Sequence, residues 1–292
     1  MYHCLRCRID DSLTRYHAIA WYKIGRSIDD DPITKLMNLS ERLLLLLSRS
    51  PSDEDWPEGK TEWKIDHALS ILCRVFPNFL DDIRGKSILD HGCGTGHQSV
   101  ALVRKGAKYV VGIDPRRKVL EEARKLAKEN EVEHQVEFRE SFDIRDYDRF
   151  EIVISQNSME HYPDPVAVVE EMKSALTSQG KMYITFGPPW CAPYGSHMQF
   201  FTKVPWVNIL FSEKSVMNVR SKFRSDGATR YEEVEGGLNR MTVAKFESLI
   251  SNSGAKVHYR RYDCALGLQL LSKLPRVREL FINHISLMLV RN

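Results

Sequence analysis

From Lys86 onward, short apolar runs alternate with amphipathic segments of 10–15 residues, and this rhythm limits the possible folds more than any other feature of the chain. The short runs are typical of buried strands and the longer segments of helices. Strands joined by such helices form right-handed βαβ units with parallel strands. The strands are predicted at residues 87–90, 109–114, 135–139, 150–155, 181–186, 257–261 and 285–290. We therefore predict an α/β fold with a seven-stranded, mostly parallel sheet between helices.

Two parts of the chain depart from this rhythm. Residues 1–60 lack it, although Leu36, Leu39, Leu43, Leu44 and Leu47 recur at helical spacing, so they predict an N-terminal helical extension. Residues 61–292 form the main domain in this interpretation. Within it, residues of about 188–240 are rich in proline, aromatic and basic side chains and show no βα period. Long interruptions of this kind are commonly functional, so we predict an inserted lid.

The overall composition favours a soluble cytoplasmic protein. The formal charge of +3 is too small to require a nucleic-acid partner, and the longest apolar run is far shorter than a transmembrane helix. We expect neither a signal peptide nor a disulfide framework. Cys4 and Cys7 form a Cys-x-x-Cys without a second pair at similar spacing, so no metal site is predicted. The sequence leaves the oligomeric state open.

Basic residues accumulate in the last third of the chain. From Lys214 onward they include Arg220, Lys222, Arg224, Arg230, Arg260, Arg261, Arg276 and Arg278. A solvated basic face explains such a surplus, and so does an acidic or phosphate-bearing substrate. Both interpretations stay open at the level of sequence.

A glycine-rich turn lies between the first predicted strand and the next helix, in the segment Ile88-Leu-Asp-His-Gly-Cys-Gly-Thr-Gly96. Its glycines allow a tight turn that a ligand can approach closely, and the helix behind it offers free N–H groups. The second strand ends about 20 residues later in Asp114, where a carboxylate can accept hydrogen bonds from a ribose diol. This layout predicts a nucleoside site.

The charges around the turn discriminate between two classes of nucleoside. A dinucleotide site uses Gly-x-Gly-x-x-Gly, but here the third glycine comes one residue earlier and Asp90 precedes the turn. A carboxylate beside a pyrophosphate is repelled, whereas one beside the ammonium and sulfonium of S-adenosylmethionine (SAM) is attracted. SAM is therefore favoured over NAD, and an NAD-linked oxidoreductase is the weaker alternative.

These motifs together resemble the class I SAM-dependent methyltransferases of the small-molecule group. The glycine-rich segment resembles motif I of that family, and Val111–Asp114 resembles its ribose-binding strand end. The segment Ser155-Gln-Asn-Ser-Met-Glu-His-Tyr-Pro-Asp-Pro165 resembles the region after strand 4. The resemblance covers about residues 61–187 and implies a Rossmann-like sheet with SAM as the cofactor.

The resemblance also implies roles for individual residues. Asp90 and the backbone of the turn hold the methionine part, Asp114 holds the ribose, and the backbone carbonyl of Gln156 meets the amino group. Ser141 and Phe142 lie where the family contacts adenine, although the family's usual Asp is displaced here to Asp143. The implied cofactor-binding set is Asp90, Gly92, Cys93, Gly94, Gly96, Asp114, Ser141, Phe142 and Gln156.

The methyl acceptor is less well defined. His161 and His197 follow the fourth and fifth strands at the sheet edge where ligands bind, so both are candidates for a catalytic base. The predicted substrate-binding residues are Trp190, Tyr194, Arg230 and Tyr231. An anionic or sugar-like acceptor suits the set Arg230, Tyr231, Asn239 and Arg240.

Pro188-Pro189-Trp190 resembles part of the Asn/Asp-Pro-Pro-aromatic motif that follows strand 4 in DNA amino-methyltransferases. Here the prolines follow the fifth strand and no Asn or Asp precedes them, so that class is disfavoured. We predict a SAM-dependent methyltransferase that modifies a small or medium metabolite, with O-methylation favoured. The alternative is a methyltransferase-like module that binds SAM without turnover.

Overall fold

The computed structural model describes residues 37–49, 65–275 and 277–291, and its centre is one sheet of seven strands. The strand order is β3-β2-β1-β4-β5-β7-β6, and β7 alone runs antiparallel to its neighbours. The predicted α/β class and mostly parallel seven-stranded sheet are confirmed. The strands are β1 (Ser87–His91), β2 (Tyr109–Ile113), β3 (Val136–Arg139), β4 (Phe150–Gln156), β5 (Leu176–Phe186), β6 (Lys256–Cys264) and β7 (Ile282–Val290).

Helices cover both faces of the sheet because successive strand residues point to opposite sides. In β1, Ile88 packs into one apolar core and Leu89 into the other, and both side chains are fully buried. The α-helices of the described residues are α1 (Leu39–Leu46), α2 (Ser70–Val75), α3 (Phe79–Ile83), α4 (His97–Arg104), α5 (Arg117–Glu129), α6 (Pro165–Ala175), α7 (Val207–Leu210), α8 (Glu213–Arg220), α9 (Val243–Asn252) and α10 (Arg278–Phe281).

Capping residues set where two of these helices begin. The Asp164 carboxylate accepts hydrogen bonds from the first turn of α6, and Pro165 follows it at the first helical position. The Thr242 hydroxyl accepts from the Lys245 amide at 3.1 Å, so Thr242 caps α9. No helix in the described ranges has the length and apolar character needed to cross a bilayer.

The order of the strands reverses beside β1. The chain moves outward from β1 through β2 to β3 and then returns to place β4 on the other side of β1. The loops that follow β1 and β4 therefore diverge and leave a crevice at the carboxyl edge of the sheet. The glycine-rich turn, Asp114 and His161 all follow strands that end at this edge.

The segment predicted as a lid is folded around a small core of its own. It contains α7, α8 and a short 3₁₀ turn at Tyr231–Glu233. The apolar side chains in this core include Phe201, Val216 and Tyr231 from the lid and Leu44 from α1. Helix α1 is further tied to α8 by a 2.7 Å hydrogen bond from Asn218 to Glu41. The boundary predicted near residue 60 lies outside the described residues and stays a prediction.

The leucine-rich stretch of α1 does not form the buried face that its spacing suggests. Leu44 is fully buried, whereas Leu39 is 85% exposed and Leu43 and Leu47 are about half exposed. Leu36 lies outside the described residues, as do Cys4 and Cys7. Leu44 therefore lies inside the lid core, and Leu45 of the same helix packs against that core as a partly buried residue.

Three strands, β5, β6 and β7, are longer than predicted by three residues or more. Strand β5 begins at Leu176, directly after α6, so Gln179 and Gly180 lie inside the strand. Leu176 pairs with Phe150, and the register shifts before Ile152 pairs with Lys181, which allows the strand to continue through the irregularity. Strands β6 and β7 also extend beyond their predicted ends because they pair with each other along almost their full length.

Candidate active site

A cavity of about 870 Å³ opens at the carboxyl edge of the sheet, between the loops after β1, β2 and β4 and the inner surface of the lid. Its wall combines residues from the sheet edge with residues from the lid. The sheet side contributes Gly92, Gly94, Asp114, Arg116, Gln156 and His161. The lid contributes Ser196, His197, Phe200, Arg220, Arg224 and Glu235. A separate groove of about 510 Å³ lies between α6 and α9 and contains none of the predicted cofactor residues.

The glycine-rich turn is fastened to the end of β2. The amides of Gly92 and Cys93 both donate to the Ile113 carbonyl, at 2.8 and 3.0 Å. Gly92 has a φ of +81°, and a Cβ there would lie 2.7 Å from the Ser158 Cβ. At Gly94, with a φ of +54°, a Cβ would meet only the Arg116 guanidinium, at 4.0 Å. The first glycine thus allows close packing of protein on protein, and the second leaves open space beside the cavity.

Asp90 is buried behind this turn and braces the start of α4. Its carboxylate accepts hydrogen bonds from Gln98 Nε2 and Ser99 Oγ, each at 2.6 Å. Burial raises the pKa of Asp90 to about 6 in spite of these two bonds. Asp90 does not line the cavity, so its contact with a methionine moiety stays a prediction.

Asp114 lies at the end of β2 and faces the cavity. Its Oδ2 accepts from the Gly94 amide at 3.1 Å and from Arg116 Nη2 at 2.9 Å. Its Oδ1 accepts from the amide and the Nε of Arg116, at 3.0 and 2.9 Å. A ribose diol that reaches this carboxylate has to compete with the Arg116 side chain.

His161 and His197 come together inside the cavity, with ring centroids 5.4 Å apart. His161 Nδ1 lies 2.7 Å from the Gly237 carbonyl oxygen, which can only accept, so Nδ1 carries the hydrogen and Nε2 keeps its lone pair. Burial lowers the pKa of His161, and burial together with His161 lowers the pKa of His197 to about 4. Both rings are therefore neutral at pH 7, and His161 has the tautomer that a base requires.

Comparison with known proteins places this site in a family. Residues 83–188 match the family model described as a methyltransferase domain. That segment contains the glycine-rich turn, Asp114 and His161, on the sheet order described above. This segment of the chain is similar to a methyltransferase domain.

Curated relatives of this methyltransferase domain carry different activities. The chain is 30% identical over 154 residues to the ubiquinone biosynthesis O-methyltransferase of Neisseria meningitidis serogroup C, a match over 52% of this chain and 64% of that protein. It is 29% identical over 135 residues to the tRNA U34 carboxymethyltransferase of Proteus mirabilis, over 45% of this chain and 38% of that protein. The chain thus spans less than two thirds of these relatives.

Solved structures support the same fold. Geranyl diphosphate C-methyltransferase from Streptomyces coelicolor A3(2) superimposes with a TM-score of 0.50 at 15% identity, over 84% of this chain and 89% of that one. The [4+2]-cyclase SpnF superimposes with a TM-score of 0.50 at 13% identity, over 77% of this chain and 81% of that one. At these identities, the likeness concerns the fold alone.

The residues expected around adenine lie outside the cavity wall of the methyltransferase domain. Ser141 is exposed, and Phe142 packs edge-on against Tyr147 with ring centroids 5.5 Å apart. Asp143 caps the 3₁₀ turn at Ile144–Asp146, and hydrogen bonds from Arg145 lower its pKa to about 2. An adenine contact from these residues stays a prediction.

Gln156 does line the cavity, at the end of β4. Its side-chain amide donates to the Ala68 carbonyl at 3.0 Å, and its backbone carbonyl accepts from Ser158 Oγ at 3.1 Å. A carbonyl oxygen has two lone pairs, so it can still accept from an ammonium group. Cys93 and Gly96 are part of the same turn, although neither lines the cavity.

Four residues expected at the acceptor lie outside the cavity wall: Trp190, Tyr194, Arg230 and Tyr231. Trp190 and Tyr231 pack against each other with ring centroids 4.8 Å apart, because the lid needs large aromatic side chains for its own core. Arg230 is exposed and pairs with Glu232 at 3.5 Å, and Tyr194 accepts from the His197 amide through its carbonyl. The structure does not bring these four side chains to His161.

Three arginines line the cavity although the sequence does not indicate them as site residues: Arg116, Arg220 and Arg224. Arg116 lies two positions after Asp114, and Arg220 and Arg224 belong to the basic surplus in the last third of the chain. Arg220 is the last residue of α8 and Arg224 follows four residues later. This spacing is the sequence signal that predicts both side chains on the same face. Glu160 is also buried next to His161, and burial raises its pKa to about 7.

Proposed function

We propose that the cavity holds SAM, with its ribose at Asp114 and its methionine part beside the turn at Gly92–Gly94. The open space at Gly94 and the buried carboxylate of Asp114 suit a cationic nucleoside. The Gln156 carbonyl lies on the same wall and can accept from an ammonium group. His161 lines the same cavity, so it would lie on the wall that an acceptor beside the cofactor also contacts.

We further propose that the chain transfers this methyl group to a hydroxyl oxygen of a small or medium metabolite. Bound SAM would supply an activated methyl on a positively charged sulfur that leaves as a neutral thioether. The acceptor oxygen forms the new O–CH₃ bond as the S–CH₃ bond breaks, and His161 Nε2 takes the hydroxyl proton. Alignment in the cavity supplies much of the rate, and a general base adds about 10²–10⁴-fold.

The observation that carries this proposal is that one cavity joins the glycine-rich turn and Asp114 to His161 in its base-competent tautomer. The O-methyltransferase name of several relatives supports an oxygen acceptor. A module that binds SAM without turnover is the weaker proposal, because the cavity continues beyond Asp114 to the lid. A cytoplasmic location and a sugar-like acceptor stay predictions, and the oligomeric state stays open.

Transfer of labelled methyl groups tests the proposed activity. The purified chain is incubated with methyl-labelled SAM and fractionated small-molecule extracts, and labelled products are characterised by mass spectrometry. We expect a labelled methyl ether whose formation is lost in Asp114→Ala. A chain that binds SAM but labels no small molecule in any extract would favour the non-catalytic module.

A further inference from the structure

Arg220, at the end of α8, is a buried cation on the lid side of the cavity. Its side chain is 1% exposed, and its guanidinium forms a two-pronged ion pair with Asp226, with Nη1 2.7 Å from Oδ1. This ion pair involves the two terminal nitrogens, Nη1 and Nη2, and does not involve Nε. Within the described residues, Nε of Arg220 has no hydrogen-bond partner. A buried donor without a partner costs free energy unless another group reaches it.

On the lid side of the cavity wall, two further polar atoms are buried without a hydrogen-bond partner in the described residues. These atoms are Ser196 Oγ and His197 Nε2. Ser196 is 1% exposed, so solvent scarcely reaches its side chain. Because Arg220 Nε can only donate, a molecule that satisfies it must present an acceptor atom.

A second guanidinium strengthens the positive potential at this end of the cavity. Arg224 stacks over the Phe200 ring with its Cζ 4.9 Å from the centroid, and Arg220 lies 5.9 Å from the same centroid. Arg224 also forms a long ion pair, 3.7 Å, with the exposed carboxylate of Glu235. The stacking on Phe200 holds both guanidinium groups at the wall.

We propose that this wall is an oxyanion subsite and that the methyl acceptor carries a carboxylate or a phosphate group. Arg220 and Arg224 supply the charge, and Ser196 supplies a neutral hydrogen bond to the same group. The inference rests on the proposed function, because it describes the far end of the cavity that is to hold SAM. The proposed acceptor is an acid that also carries a hydroxyl group. The distance between its oxyanion and its hydroxyl lets the oxyanion contact the lid while the hydroxyl contacts His161.

Calorimetry with three compact probes tests the subsite directly. Benzoate and phenyl phosphate present the two oxyanions, and benzyl alcohol is their uncharged counterpart. We expect at least one anion to bind the wild-type chain ten-fold or more tightly than benzyl alcohol, and the tighter anion shows whether the subsite prefers carboxylate or phosphate. Equal binding of all three probes, or binding of none, would overturn the proposal.

Substitutions place the binding on this wall. Arg224→Gln is expected to weaken anion binding about ten-fold and Ser196→Ala several-fold, since the Ser196 hydroxyl has no described partner whose loss would disturb the fold. Lys222→Gln is the matched control, because Lys222 is exposed, lies two residues from Arg224 and does not line the cavity. If Lys222→Gln weakens binding as much as Arg224→Gln, the anion responds to net charge and the subsite is refuted.

SAM titration of the same preparations separates this inference from the proposed function. Anion binding without SAM binding would refute the cofactor assignment and leave the subsite. SAM binding without a preference for the anions would refute the subsite and leave the methyltransferase proposal.

Discussion

At the scale of single residues, the contact between Asp114 and Arg116 sets how the cofactor enters. Both carboxylate oxygens of Asp114 accept from the Arg116 side chain, and the Arg116 guanidinium is about half exposed. A ribose diol needs the same oxygens, so part of the binding free energy is consumed in displacing Arg116. The arginine therefore tunes affinity for SAM downward in this account.

Arg116→Ala is expected to bind SAM several-fold more tightly than the wild type, because the carboxylate of Asp114 is then available without competition. Calorimetry with SAM measures the change. Arg117→Ala is the control, since Arg117 is exposed and lies outside the cavity wall. Weaker binding by Arg116→Ala would mean that the arginine contacts the cofactor or holds Asp114 in place.

The tautomer of His161 gives a prediction for the pH dependence of turnover. Burial lowers the pKa of His161 from 6.5, and the neutral ring is the form that accepts a proton. The rate should therefore be constant above pH 6.5 and fall only at lower pH, as the ring becomes protonated. Its measurement is the pH profile of kcat for methyl transfer, with an acidic limb centred below pH 6.5.

His161→Gln should lower kcat by about 10²–10⁴-fold while SAM affinity stays unchanged. It should also remove the acidic limb assigned to this histidine. An unchanged kcat in His161→Gln, or an acidic limb centred well above pH 6.5, would exclude His161 as the base.

At the scale of elements, the first two glycines of the turn after β1 have different structural roles. Gly92 is closed in by Ser158 and Tyr162, whereas Gly94 faces the cavity. Both have positive φ, which by itself costs about 1–2 kcal/mol for an alanine. Only at Gly92 does a steric clash add to that strain.

Gly92→Ala should therefore destabilise the fold clearly more than Gly94→Ala does. The free energy of unfolding from urea titration measures the difference, and Gly94→Ala is the matched control. Gly94→Ala should instead act mainly on SAM affinity, since its methyl group enters the cavity. Equal losses of stability would show that the packing around Gly92 relaxes.

Much of this element-scale picture follows from the sequence, and the reasons are local. Strand ends and tight turns depend on neighbouring residues, so the glycine-rich turn before α4 is predicted where it occurs. Strand β5 is predicted too short because its first residues pair with β4 across a register shift, which no local pattern encodes. No local pattern encodes the packing of the lid either. The sequence predicts Tyr231 as a substrate contact, whereas its side chain packs in the lid core.

At the scale of the molecule, α1 and the lid share one apolar core. Leu44 is fully buried among Phe201, Val216 and other lid side chains, although more than 150 residues separate them in sequence. Such a contact is invisible in the sequence, where Leu44 is one of several leucines at helical spacing. It makes α1 part of the structure that closes the cavity.

Leu44→Ala should lower the free energy of unfolding by about 2–5 kcal/mol, because it removes a large side chain from a filled core. The matched control is Leu39→Ala, since Leu39 on the same helix is 85% exposed and should be nearly neutral. Chemical denaturation compares the two variants, and limited proteolysis reports whether the lid is loosened. If neither substitution changes the free energy of unfolding, the packing of α1 does not stabilise the lid core.

Binding of SAM in the cavity at the carboxyl edge should depend on Asp114. Calorimetric titration of SAM into the wild type, Asp114→Asn and Asp66→Asn measures this dependence, and Asp66 is the control because it is exposed. We predict saturable binding by the wild type and by Asp66→Asn, and affinity at least ten-fold weaker, about 1.4 kcal/mol, for Asp114→Asn. No binding by the wild type, or binding by Asp114→Asn as tight as that of the wild type, would contradict the account.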